Sequence, residues 1–221
     1  WQELLPDADA TYDESISIDL SKLEPLAAQP SSPDNVAKIS ELTGIPVNQV
    51  AIGSCTNSSF ADLMKVAAIL DGQTVAEGVS LVIAPGSKQV LSMLAANNAL
   101  AKMVNAGARI LESACGPCIG MGQAPATDAV SLRTFNRNFP GRSGTASAQV
   151  YLVSPEVAAV SAIAGVISDP RAFSPAPPTL VPESFPINDN MVAAPAPDGE
   201  AVEVVRGPNI KAFPINKPLA A

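Results

Sequence analysis

Two hydrophobic rhythms alternate along the middle of the chain. A short apolar run at 47–52 predicts a strand. Behind it Phe60, Leu63, Met64 and Ala67 recur at helical spacing, with Ser58 or Ser59 as the cap. The continuous run at 79–84 predicts a buried strand ended by Pro85-Gly86-Ser87. A helix is expected over about 88–105, with Gly107 just beyond its end. Residues 108–111, 131–135 and 150–153 predict further strands, and 155–167 a helix with Pro155 in its first turn. This β-α-β-α-β order is the signature of a parallel sheet with crossover helices. The expected fold class is α/β, a three-layer α/β/α arrangement with a mainly parallel sheet, plus an extended Pro-rich C-terminal segment.

The flanks follow other patterns. Ser15-Ile16-Ser17-Ile18-Asp19-Leu20 alternates polar and apolar residues, as a half-buried strand does. Pro25, Pro30 and Pro33 then read as a linker, and 35–43 as a short helix stopped by Gly44. From Pro170 onward, prolines such as Pro175, Pro177, Pro178, Pro214 and Pro218 exclude a regular sheet. The expected organisation is an extended N-terminal segment over 1–34, an α/β domain over 35–169, and a Pro-rich extension over 170–221. The chain starts at Trp1 rather than Met, and both ends read as cut from something longer.

Composition narrows the field. A chain of 221 residues with 47% hydrophobic and 15% charged residues can bury a sizeable core. Aromatics are scarce at 4%, so Ala, Val, Ile and Leu must build that core, which suits parallel strands covered on both faces. A net charge of −8 argues against nucleic-acid binding through a basic surface. The sequence contains no histidine, which removes the commonest neutral-pH acid/base and the commonest nitrogen metal ligand. No apolar run reaches the length of a membrane span, and no signal-peptide pattern opens the chain. Three cysteines, two of them a tight pair, do not match a secreted disulfide framework, so a reducing, cytoplasmic compartment is expected.

The candidate chemistry follows the strands. In open α/β sheets ligands bind beyond the carboxyl ends of the strands. Cys55 follows one predicted strand, Cys115 and Cys118 another, and Asn136-Arg137-Asn138-Phe139-Pro140-Gly141-Arg142 a third. A parallel sheet brings all three loops to one edge. The cysteines then admit several readings. They are buried thiols without a role, a zinc site short of its usual ligands, a Cys-Gly-Pro-Cys disulfide enzyme, or the ligands of an iron–sulfur cluster. Cys55 lies in a polar turn, and Ala114 rather than an aromatic precedes Cys115, which weakens the first and third. Arg137 and Arg142 are either solvated surface charge or a carboxylate clamp, and two in one loop of an acidic chain favour the clamp. Asn136 and Asn138 either bond a ligand or tie the turn.

Together Ile52-Gly53-Ser54-Cys55-Thr56-Asn57-Ser58, Cys115-Gly116-Pro117-Cys118-Ile119-Gly120 and the Asn136 to Arg142 loop resemble the aconitase family, with Pro85-Gly86-Ser87 between them also similar. The resemblance runs to Gly207-Pro208-Asn209-Ile210. It implies that Cys55, Cys115 and Cys118 hold a [4Fe–4S] cluster, one that oxidation can degrade. Its open iron would act as a Lewis acid on a tricarboxylate substrate. It implies that Arg137 and Arg142 bind substrate carboxylates, and that Ser54 and Asn136 lie just behind the cluster. Residues 35–169 would match the family's third domain, with 170–221 leading toward a fourth. The catalytic acid and base would belong to missing domains of the same protein, leaving this piece inactive alone. Gly116-Pro117, Phe135 and the leading Trp1 segment point toward an aconitate hydratase, interconverting citrate and isocitrate in the tricarboxylic acid cycle. The alternative is the large subunit of a 3-isopropylmalate or homoaconitate dehydratase.

Overall fold

A computed structural model describes residues 2–180, 182–203 and 205–211. Trp1, Pro214 and Pro218 lie outside the described residues. The chain divides into two compact units, Trp1–Pro186 and Ile187–Ala221. The described residues of the second unit form turns, without helix or strand.

The first unit is an α/β domain. Its strands are β1 (Leu26–Ala28), β2 (Val36–Lys38), β3 (Gln49–Gly53), β4 (Ser80–Ala84), β5 (Arg109–Ile110), β6 (Val130–Arg133) and β7 (Gln149–Leu152). Its helices are α1 (Ile39–Leu42), α2 (Phe60–Leu70), α3 (Lys88–Ala96), α4 (Ala99–Asn105) and α5 (Pro155–Ala164). The strands form one seven-stranded sheet in the order β2-β1-β7-β6-β3-β4-β5. β3 to β7 pair in parallel, while β1 runs antiparallel to both β2 and β7. The chain steps outward from β3 through β4 to β5, then crosses back to lay β6 on the other side of β3. The switch point of the sheet is therefore between β3 and β6, where α/β folds bind ligands.

Local sequence explains the element ends. Ser59 caps α2 reciprocally with Asp62, Ser87 caps α3, and Ser154 caps α5 ahead of Pro155. The expected helix at 88–105 is two helices, because Asn98 adopts a left-handed conformation (φ 65°) between them. Residues 36–38 form a strand rather than the start of a helix, and only Ile39–Leu42 is helical. The expected strand at 15–20 does not form. Ile16 is 82% exposed, and the alternating pattern there has no neighbouring strand to pair with.

The two faces of the sheet are covered differently. Val50, Ile52, Leu81, Ile83 and Leu132 form one continuous core with Leu63, Val66, Leu94, Met103 and Val157 of the helices. Ala51 and Val82, pointing the other way, pack against Leu111, Cys118 and Phe135. That second cover is a loop with a short 3-10 turn, Gly116–Ile119, because Gly116, Pro117, Gly120 and Gly122 permit no long helix. Among the described residues no helix is long and apolar enough to cross a membrane.

Candidate metal centre

The first cysteine turn begins where β3 ends. Gly53 has φ +112°, and a Cβ there would collide with the Ala84 carbonyl oxygen of β4. Ser54 is also left-handed (φ 64°), and its N–H donates to that same oxygen at 2.9 Å. The Ser58 hydroxyl donates to the Ser54 carbonyl, which closes the turn. Thr134, just past β6, stitches the switch point together. Its hydroxyl accepts from Gly53 N–H at 2.8 Å, and its carbonyl accepts from the Asn57 side chain. The turn is thus fixed from both neighbouring strands, and it leaves Cys55 exposed.

The second pair follows β5. Cys115 is exposed just before the 3-10 turn, and Cys118 is buried within it. Gly120 ends that turn with φ +81°, where a Cβ would strike the Ser143 carbonyl oxygen. Ser54 links the two loops. Its hydroxyl lies 3.0 Å from Cys118 Sγ and 3.9 Å from Cys115 Sγ. The Thr56 and Ser54 hydroxyls lower the Cys55 pKa, with a smaller contribution from Cys115. Burial pushes the Cys118 thiol up, against the Ser54 hydroxyl. Sequence-distant thiols therefore meet around one serine, and a cavity of about 120 Å³ opens beside Ser54, Cys55, Gly86 and Cys115.

The donor set tests what this place can hold. Among the described residues, no three His, Cys, Asp or Glu side chains close on a point where a single ion would sit. A four-iron cluster takes each thiolate on a different iron, so its ligands surround a volume. Soft sulfur donors, a neighbouring hydroxyl and a small cavity fit such a group. The thiols fit disulfide exchange less well. Their turn spans only four residues (Gly116–Ile119) and is not the start of a long helix whose dipole would activate a thiolate.

The two candidate arginines are placed unequally. Arg142 is half-buried and donates to the Cys118 carbonyl at 2.8 Å, so it grips the backbone of a candidate ligand. Arg137 is exposed and donates to Asn136 Oδ1 at 2.9 Å. Neither lines the cavity beside Cys55. Asn138 is buried and ties its loop down, donating to the carbonyls of Gln29 (2.8 Å) and Val150 (3.1 Å).

Sequence reasoning missed Arg133. The side chain is fully buried beneath the cysteine turn, where it donates to Ser131 Oγ, Pro117 O, Gln49 Oε1 and Gln123 O. Burial lowers its pKa to about 10, which leaves it charged at neutral pH. Gln49 pairs in register with Ser131, and Ala51 with Arg133, so these polar groups share the loop-covered face. The available signal was the alternation Ser131, Leu132, Arg133, which puts both polar residues on one side of a strand.

A sequence model of the Aconitase family (aconitate hydratase) matches residues 40–165. The chain belongs to the aconitase family. It is 44% identical over 174 residues to 3-isopropylmalate dehydratase large subunit 2 of Archaeoglobus fulgidus, covering 78% of this chain and 42% of that protein. It is 45% identical over 170 residues to 3-isopropylmalate dehydratase large subunit 1 of Methanopyrus kandleri, covering 76% and 40%. It is 44% identical over 170 residues to the homoaconitase large subunit of Thermus thermophilus, again covering 76% and 40%. The chain spans about two fifths of the length of these relatives. Aconitase-family proteins are hydro-lyases that carry a [4Fe–4S] cluster. These relatives are named isopropylmalate dehydratase and homoaconitase large subunits, and they give no support to the expected tricarboxylic acid cycle role.

Proposed function

We propose that this chain is the cluster-bearing part of a hydro-lyase large subunit of the isopropylmalate dehydratase and homoaconitase kind. The observation that carries the reading is the Ser54 hydroxyl between the sulfurs of Cys115 and Cys118, with Cys55 beside it at the switch point. Cys55, Cys115 and Cys118 would hold a [4Fe–4S] cluster, which when bound supplies a Lewis acid for the substrate hydroxyl. Ser54 orients the sulfurs from behind by hydrogen bonding. Arg142, held on the Cys118 carbonyl, keeps N–H donors free for a substrate carboxylate. Arg137 offers a second, more exposed cation to a hydroxy-dicarboxylate or tricarboxylate, and Asn136 orients it. Proton transfer falls to groups outside this chain, which has no histidine.

Residues 35–169 then act as the cluster domain and 170–221 as the lead toward a further domain. The relatives' name "large subunit" makes a small subunit the natural partner. A reducing, cytoplasmic setting suits three unpaired thiols.

The test is the EPR spectrum of the anaerobically reconstituted, reduced chain, titrated with 3-isopropylmalate, homocitrate and citrate. The reading expects 3-isopropylmalate or homocitrate to perturb the spectrum at lower concentration than citrate. Preferential perturbation by citrate returns the chain to the aconitate hydratase reading. The chain alone is expected to show no turnover of any of the three, and measurable turnover contradicts the assignment of acid and base to other parts of the protein.

A further inference from the structure

Arg133 stands out among the described residues as a buried cation without a buried anion. Its side chain is 0% exposed, and it takes part in none of the ion pairs formed by the described residues. Every acceptor it reaches is neutral: a hydroxyl, a side-chain amide and two carbonyls. Its guanidinium lies 5.6 Å from the ring centroid of Phe135, which packs against Cys118. A fully buried charge is stable only when something compensates it. Its bond to Pro117 O places the guanidinium against the backbone next to Cys118, a candidate thiolate ligand. Two of its hydrogen bonds, to Pro117 O (2.6 Å) and Gln123 O (2.6 Å), bracket the turn that carries Cys118.

We infer that Arg133 is a positioning residue for the metal centre, clamping the 116–123 turn in ligating geometry and supplying the buried positive charge that the anionic thiolate ligands answer. This rests on the cluster reading above. The charge acts through space, because cluster potentials follow the net charge and hydrogen bonding around the sulfurs. The clamp acts through the backbone, because a planar guanidinium holds two carbonyls at fixed separation where an ammonium cannot.

The two actions separate in Arg133→Lys and Arg133→Met, with Arg133→Gln as a second neutral variant should the Met protein not fold. Two quantities are measured: amide hydrogen exchange at 116–123 in the cluster-free chain, and the midpoint potential of the reconstituted cluster. All the variants are expected to exchange faster at 116–123 than wild type. Only the neutral ones are expected to shift the potential negative, with Lys remaining near wild type. Equal potentials in wild type and the neutral variants overturn the inference, since a merely structural role would alter exchange alone. A wild-type chain that takes up no cluster contradicts the cluster reading instead. The clamp is then judged on exchange in the cluster-free chain, where unchanged protection in the neutral variants overturns it and lost protection supports the clamp alone.

Discussion

On one face of the sheet Val50, Ile52, Leu81 and Ile83 meet α2, α4 and α5 in a continuous apolar core. On the other face Gln49, Ser131 and Arg133 form a buried hydrogen-bonded layer under a glycine-rich turn. Both faces are closed to water, but they are closed by different means. The helical face gains from apolar area and tolerates variation in detail. The loop face depends on directional bonds, where one missing partner strands a buried polar group. A site that must hold ligands in fixed directions therefore belongs on the loop-covered face. Fixed polar groups, unlike close-packed methyls, can hold the turn that carries Cys118 in one place.

The largest expected effect on stability falls on the helical face. Leu63→Ala removes a fully buried side chain from the core and is expected to cost about 2–5 kcal/mol in urea unfolding. Iron uptake by the folded fraction should stay unchanged. A Leu63→Ala chain that folds normally but loses iron would show that the two faces are not separable. On the loop face Ser54→Ala is expected to cost about 1 kcal/mol, since it removes one hydroxyl and leaves the sulfurs without it. Iron release from the reconstituted chain should quicken markedly. Unchanged release would remove Ser54 from the site.

The smallest effect sharpens the comparison through pH. Glu156 in α5 is partly buried, which pushes its carboxyl up. Its own backbone N–H and Lys65, 3.1 Å away, outweigh this and hold it below the ordinary 4.5. A carboxylate lowered in the folded state stabilises above its ordinary pKa, and that contribution is lost as pH falls through the folded value. Glu156→Gln should therefore be less stable than wild type at pH 7 by under about 1 kcal/mol, the gap closing below pH 4.5. A gap that widens in acid would contradict the sign.

These two faces also differ in how far the sequence reveals them. β3 and β4 announce themselves as continuous apolar runs, α2 through helical spacing and a serine cap, and α5 through Pro155 ahead of an apolar stretch. The convergence of Cys55, Cys115 and Cys118 was readable because a parallel sheet collects the loops after its strands. Arg133 was not readable, because a polar residue at the end of a strand looks the same whether solvent or a buried carbonyl receives it. The β1 and β2 edge pair was also hidden, since Pro25, Pro30 and Pro33 around it resemble a linker. Asn98 broke a helix whose apolar period runs on past it, and period alone cannot report a left-handed residue.

The central claim is that three cysteines from two loops hold one cluster at the switch point. The direct measurement is iron and acid-labile sulfide per chain after anaerobic reconstitution, for wild type and for Cys55→Ser, Cys115→Ser and Cys118→Ser. The account expects about four irons and about four sulfides in wild type and a collapse of both in each variant. Wild-type iron at one per chain or less with the thiols reduced, or full uptake by any of the three variants, would contradict it.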